Sequence, residues 1–166
     1  MNMNKYECLN QKKKYCGESP FSGKKRVAAY CRVSTEREEQ AQSFESQCDF
    51  FRCYIEQKKE WEFYKVFADE GISGTSTKKR EQFNQMIAEA RQGKFDLLLT
   101  KEISRFARNT LDSIYYTREL KKHGVGVIFM NDNINTLDED SELRLTIMSG
   151  IAQDELRKLS SRVKFG

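Results

Sequence analysis

The sequence predicts an α/β domain: a mostly parallel central sheet flanked by helices, with a long helix at the carboxyl end. Three observations predict it. Short apolar runs of strand length alternate with longer segments whose apolar residues recur every three or four positions, the pattern of successive β-α-β units. Two of the helical segments are each followed by a glycine, Gly93 and Gly124, the residue that most readily ends a helix. The chain has 166 residues, 38% of them hydrophobic, with one proline and nine glycines. That suits one compact core rather than a linker-rich chain.

In chain order, residues 26–32 (RVAAYCR) form a short buried strand. Residues 38–59 form a helix with Phe44, Cys48, Phe51 and Ile55 on one face. A second strand covers 62–67 and runs into a glycine-rich turn at 69–74 (DEGISG). A helix at 80–92 leads to a third strand at 95–100 (FDLLLT). Another helix at 111–123 leads to a fourth strand at 125–130, and a final helix spans 141–163. Residues 1–23 are polar, carry three consecutive lysines at 12–14 and end in a breaker-rich stretch, so they read as a flexible arm. The division is therefore an arm at 1–23, a core at 24–140, and a carboxyl-terminal helix at 141–166.

Composition narrows the function. A net charge of +4 is mildly basic and permits a nucleic-acid partner without requiring one. Five cysteines without a CxxC pair, and a single histidine, His123, do not make a zinc site. Reduced thiols and no metal or cofactor are the expectation. No apolar run approaches the roughly 20 residues of a membrane helix, and the first residues lack the apolar core of a secretion signal. A cytoplasmic protein without a membrane partner is expected.

In parallel sheets, ligand sites gather beyond the carboxyl ends of the strands. The first strand ends in Arg32, Val33 and Ser34. The second leads to Arg80, and the third to Lys101, Glu102, Ser104, Arg105, Arg108 and Asn109. Period-two alternation puts Arg32 and Ser34 on one face of their strand. On a helical turn, Arg105 and Arg108, three apart, leave the same side. Guanidinium groups match phosphate oxygens and stay charged, so this rim suits a phosphodiester under attack by a serine hydroxyl. Such an attack would store the broken bond as a phosphoserine ester. Singly, each feature has a plainer reading: Ser34 as a helix cap, the arginines as a solvated turn paired with Glu102 or Asp112. Their meeting on one rim favours chemistry. The group that takes the serine proton does not follow from the residues. Cys31 and Arg37 also match the C-x5-R spacing of cysteine-dependent phosphatases. That loop has no glycine, however, and Cys31 alternates toward the core.

These residues resemble the serine recombinases, the resolvase/invertase family. The resemblance is carried by YCRVST at 30–35, SFESQ at 43–47, DEGISG at 69–74 with Arg80, SRFARN at 104–109 and AQDE at 152–155. It spans nearly everything from Val27 onward and looks most like the large serine recombinases of phages and conjugative transposons. It implies a resolvase-like catalytic fold and a site-specific DNA recombinase in which Ser34 forms a 5′-phosphoserine link. It implies that Arg32, Arg80, Arg105 and Arg108 hold the phosphate, with Gln47 beside them, and that no metal takes part. It also implies double-stranded DNA as partner and a homodimer that pairs into a tetramer. Small members of the family often carry an acidic residue where this chain has Ser104.

In the final helix, Leu143, Ile147, Ile151, Leu156, Leu159 and Val163 make an apolar stripe that packs either on the chain's own sheet or on a partner subunit. Arg157, Lys158, Arg162 and Lys164 are the candidate DNA-backbone contacts. No recognition domain is visible, so the chain is expected to be inactive alone. The competing expectation is a non-catalytic DNA-binding or assembly module that keeps the fold.

Overall fold

The computed structural model describes residues 23–34, 41–71 and 80–164; nearly all of the expected arm lies outside them. The elements are β1 (Lys25–Ser34), α1 (Ala41–Glu56), β2 (Trp61–Gly71), α2 (Glu81–Arg91), β3 (Leu97–Thr100) and α3 (Ile103–Phe106). They continue with α4 (Thr110–Lys122), β4 (Gly126–Phe129), β5 (Ile134–Asn135) and α5 (Ser141–Lys164). The sheet order is β2-β1-β3-β4-β5. The first four strands are mutually parallel and β5 runs antiparallel to β4.

The alternation read from the sequence is therefore present, with differences that have physical causes. β5 has only two residues, too few to show a period. β2 continues through Asp69 to Gly71 because it stays paired with β1 as far as Ser34 opposite Gly71. Asp69 thus lies in a strand, opposite Arg32, and not in the expected turn. Gly93 and Gly124 do end their helices, with φ of +68° and +77°, a conformation glycine adopts without steric cost.

The chain leaves β1 for β2 on one side, then crosses to β3 on the other. That reversal opens a crevice between the carboxyl ends of β1 and β3, the place where open α/β sheets bind ligands.

Both sheet faces are covered, which explains strands that are apolar nearly throughout. On one face Val27, Ala29, Cys31, Leu97 and Leu99 pack against Phe51 and Ile55 of α1. On the other, Ala28, Tyr30, Leu98, Val127 and Phe129 meet Phe83 and Met86 of α2, Phe106 of α3, Ile114 of α4 and Leu145 of α5. Tyr30, Phe83 and Phe106 meet edge to face, with ring centroids 5.3–5.9 Å apart. At the opposite end of the sheet, Asp96 accepts from the Arg26 backbone N–H at 2.8 Å and from its guanidinium at 2.8 and 3.1 Å. These bonds hold the Asp96 carboxyl below its ordinary range.

Of α5, only Ser141 and Leu145 are buried, and Met148 packs partly on the core. Leu143, Ile147, Ile151, Leu156, Leu159 and Val163 are all at least half exposed. The stripe does not pack on the chain's own sheet, and the helix, about 36 Å long at 1.5 Å per residue, carries it outward. No helix among the described residues is long and apolar enough to cross a membrane.

Candidate active site

A cleft of about 240 Å³ opens at the switch point, lined by Tyr30, Cys31 and Arg32 of β1, Gln47 of α1, Thr100, Lys101, Glu102 and Arg105 around the end of β3, and Asn131 beyond β4. It brings together Arg32, Gln47 and Arg105 of the residues expected from sequence. Ser34 ends β1 two residues beyond Arg32. Backbone alternation gives those two positions the same face, and Cys31 lies in the core cluster on the opposite face.

Arg105 and Arg108 do not share a helical face. α3 ends at Phe106, and Ala107 is extended at φ −116°, ψ −156°. The cause is local capping. The Ala107 N–H donates to Ser113 Oγ at 2.9 Å, and Asn109 Oδ1 caps α4 by accepting from the Asp112 N–H at 2.8 Å. Asn109 therefore starts a new helix and the short turn cannot continue. Arg105 lines the cleft, whereas Arg108 is exposed outside its lining.

Arg80 lies behind the cleft wall, touching it through Tyr30. Its Nη2 donates to Tyr30 Oη at 2.7 Å and to the Phe106 carbonyl oxygen. The guanidinium carbon lies 4.1 Å from the Phe83 ring centroid, and the buried Nε has no acceptor among the described residues. Tyr30 Oη donates in turn to Asp69 Oδ2 at 3.1 Å. Burial pushes the Tyr30 phenol up to about 12, so it stays protonated and serves as a donor rather than a base.

Asp69 completes this network from β2. Its Oδ1 and Oδ2 accept the Gln82 and Phe83 backbone N–H groups, each at 3.0 Å. It caps α2 from a distant strand, since Arg80 at the N-cap position makes no side-chain cap. Asp69→Ala removes that cap and leaves Tyr30 Oη without its acceptor. We expect a loss of roughly 2–4 kcal/mol in urea denaturation; a change under ~0.5 kcal/mol would remove Asp69 from the framework.

Two cysteines meet beside the cleft. Cys31 donates to the Cys48 sulfur, which lowers the Cys48 thiol to about 7, while the same bond together with burial pushes Cys31 up. Both are free thiols. Iodoacetamide is expected to label Cys48 with a half-rise near pH 7, below the ordinary thiol value near 8.5, and to spare Cys31 in the folded protein. Peptide mapping of the labelled sites checks this.

The turn carrying Arg105 is anchored from β4. The Met130 and Asn131 backbone N–H groups donate to Thr100 O and Lys101 O at 2.9 and 2.8 Å. Asp132 Oδ2 accepts the Ile103 N–H at 2.7 Å. Sequence reasoning missed Tyr30, Asn131 and Asp132 as site residues. Only the position of Asn131 and Asp132 just after a strand pointed to them. Arg157 and Lys158 both pair with Asp154 at 2.7 Å on the exposed half of α5, and Arg162 and Lys164 are exposed one to two turns farther on.

The chain matches the family model described as "Resolvase, N terminal domain" over residues 27–166. It is 34% identical over 102 residues to the R46 site-specific recombinase of Escherichia coli, covering 61% of this chain and 52% of that protein. It is 30% identical over 143 residues to a resolvase of Clostridium perfringens (strain 13 / Type A), covering 84% and 69%. Among solved structures it is similar to the amino-terminal catalytic domain of TP901-1 integrase, with TM-score 0.65, 29% identity and 82% and 99% of the two chains covered. It is also similar to a resolvase family site-specific recombinase from Streptococcus pneumoniae, with TM-score 0.70, 28% identity and 86% and 95% covered. The chain spans about half the length of the R46 recombinase.

Proposed function

Because this chain belongs to the resolvase family of serine recombinases, we propose that it is the strand-exchanging domain of a site-specific DNA recombinase. In this reading Ser34 attacks a backbone phosphate of double-stranded DNA. The serine oxygen forms the new P–O bond, the 3′ oxygen leaves and takes up a proton, and the phosphate stays as a 5′-phosphoserine ester. Attack by that 3′ hydroxyl on the ester reseals a strand without an external energy source. The observation that carries the reading is the cleft itself, which gathers Arg32, Gln47 and Arg105 at the carboxyl ends of β1 and β3, where β1 also delivers Ser34.

The charges suit the task. Attack spreads negative charge over the non-bridging oxygens, so fixed guanidinium groups stabilise the transition state more than the ground state. Arg32 and Arg105 line the cleft, and in this reading they meet the phosphate directly. Arg108 and Arg80 belong to the same proposed set. Arg108 stands outside the cleft lining, and Arg80 reaches the phosphate only if it leaves Tyr30. A role for each is part of the proposal.

Assembly belongs to the same reading. Six apolar side chains projecting along α5 suit a homodimer that pairs into a tetramer during exchange. Arg157, Lys158, Arg162 and Lys164, on the last turns of that helix, then follow the DNA backbone. We place the protein in the cytoplasm with its DNA.

The test joins this chain to a DNA-binding module of known site and incubates it with labelled DNA in the presence of EDTA. The proposal expects strand breaks with protein on the 5′ end and a free 3′ hydroxyl. A folded, DNA-bound fusion that never breaks a strand would favour a non-catalytic assembly module.

A further inference from the structure

Among the described residues that line the cleft, Glu102 is the one acidic side chain. A carboxylate beside an incoming phosphate is an electrostatic burden, so its presence needs a compensating role. Its contacts suggest one. Glu102 Oε1 accepts from Asn131 Nδ2 at 3.1 Å, and Oε2 accepts from Ser104 Oγ at 3.4 Å. The same Oε2 approaches Arg105 Nε at 3.6 Å. Asn131 is in turn fixed through its backbone bond to Lys101 O. The carboxylate is thus tied to the end of β4 and to the turn at the end of β3.

Arg105 needs such a hold. It sits on a four-residue helix and its side chain is 77% exposed. A free arginine of that exposure samples many rotamers, all of which must be frozen when phosphate arrives. A contact at Nε biases that edge of the guanidinium toward Glu102 and leaves the two terminal nitrogens as a fork for phosphate oxygens.

We propose that Glu102, held by Asn131, is the positioning residue for Arg105, steering its terminal fork toward the scissile phosphate. The inference rests on the reading of Arg105 as a phosphate ligand. Glu102 itself makes no bond to the phosphate. Its benefit is preorganisation, which acts on the chemical step more than on DNA affinity.

The experiment uses the chain joined to a DNA-binding module and measures single-turnover cleavage, DNA affinity and melting temperature. The variants are Glu102→Ala, Glu102→Gln, Asn131→Ala, Arg105→Lys and the double variant E102A/R105K. Glu102→Ala and Asn131→Ala are each expected to slow cleavage on the order of tenfold, with affinity changed less than about twofold. Glu102→Gln, which keeps an acceptor for Asn131, falls between them and wild type. In the Arg105→Lys background, Glu102→Ala has little further effect, because it acts through the group already replaced.

Three outcomes would overturn the proposal. Cleavage by Glu102→Ala as fast as wild type or faster would show that the carboxylate only competes with phosphate. Equal slowing in both backgrounds would show a role independent of Arg105. An effect that tracks a lowered melting temperature would show a purely structural part. Normal cleavage by Arg105→Lys alone rejects the parent assignment and is visible in that single variant.

Discussion

Ser34→Ala is expected to lower strand cleavage by roughly 10⁴-fold or more, as loss of a covalent nucleophile does elsewhere, with no loss of fold. The two halves of the expectation have separate grounds. Ser34 holds β1 to β2 through its backbone, in register with Gly71, and that pairing does not use the hydroxyl. Alanine keeps the strand and removes the oxygen that would carry the phosphate. Cleavage rate on labelled DNA and circular dichroism together check it. Cleavage that survives in the variant moves the nucleophile to another residue.

Arg105→Lys is expected to slow cleavage by about 10²-fold while leaving stability within ~0.5 kcal/mol. Arg105 projects from α3 into the cleft, and its only ion pair among the described residues is the long contact with Glu102. Exposed pairs of this kind contribute little to folding, so the lysine variant should melt like wild type. What lysine loses is geometry. A guanidinium presents a planar fork that meets two phosphate oxygens at once, whereas an ammonium is a point charge on a flexible stem. The comparison needs equal occupancy of the DNA site, since a shift in affinity alone would mimic a slower step. An unchanged single-turnover rate would take Arg105 out of the site.

Much of the fold was legible because its signals are local and long. The leucines at 97–99 and the apolar positions of α4 are dictated by burial on both sheet faces or on one helix face, and periodicity reports both. The gathering of the candidate residues at the carboxyl strand ends also followed, since ligand sites in parallel sheets collect there; that β1 lies beside β3, with Arg32 and Arg105 at neighbouring ends, came only from the strand order.

What escaped was decided by contacts distant in sequence. Asp69 looked like a turn residue, yet pairing with β1 keeps it in a strand and lets it cap α2. Arg80 looked like a rim cation, but Tyr30 and the Phe106 carbonyl draw it inward. The three-residue spacing of Arg105 and Arg108 suggested one helical face, and the capping of α4 by Asn109 ended that helix early. Asn131 and Asp132 carry no motif at all. Their role appears only once β4 lies beside β3 and both reach the turn that bears Arg105.

The central claim is the identity of the nucleophile, and its most direct test is to digest the covalent protein–DNA adduct and locate the nucleotide-bearing residue by mass spectrometry. The account predicts a phosphodiester on Ser34, stable without added metal and absent from Ser34→Ala. A nucleotide on Ser104, on Thr35 or on any other residue would contradict it.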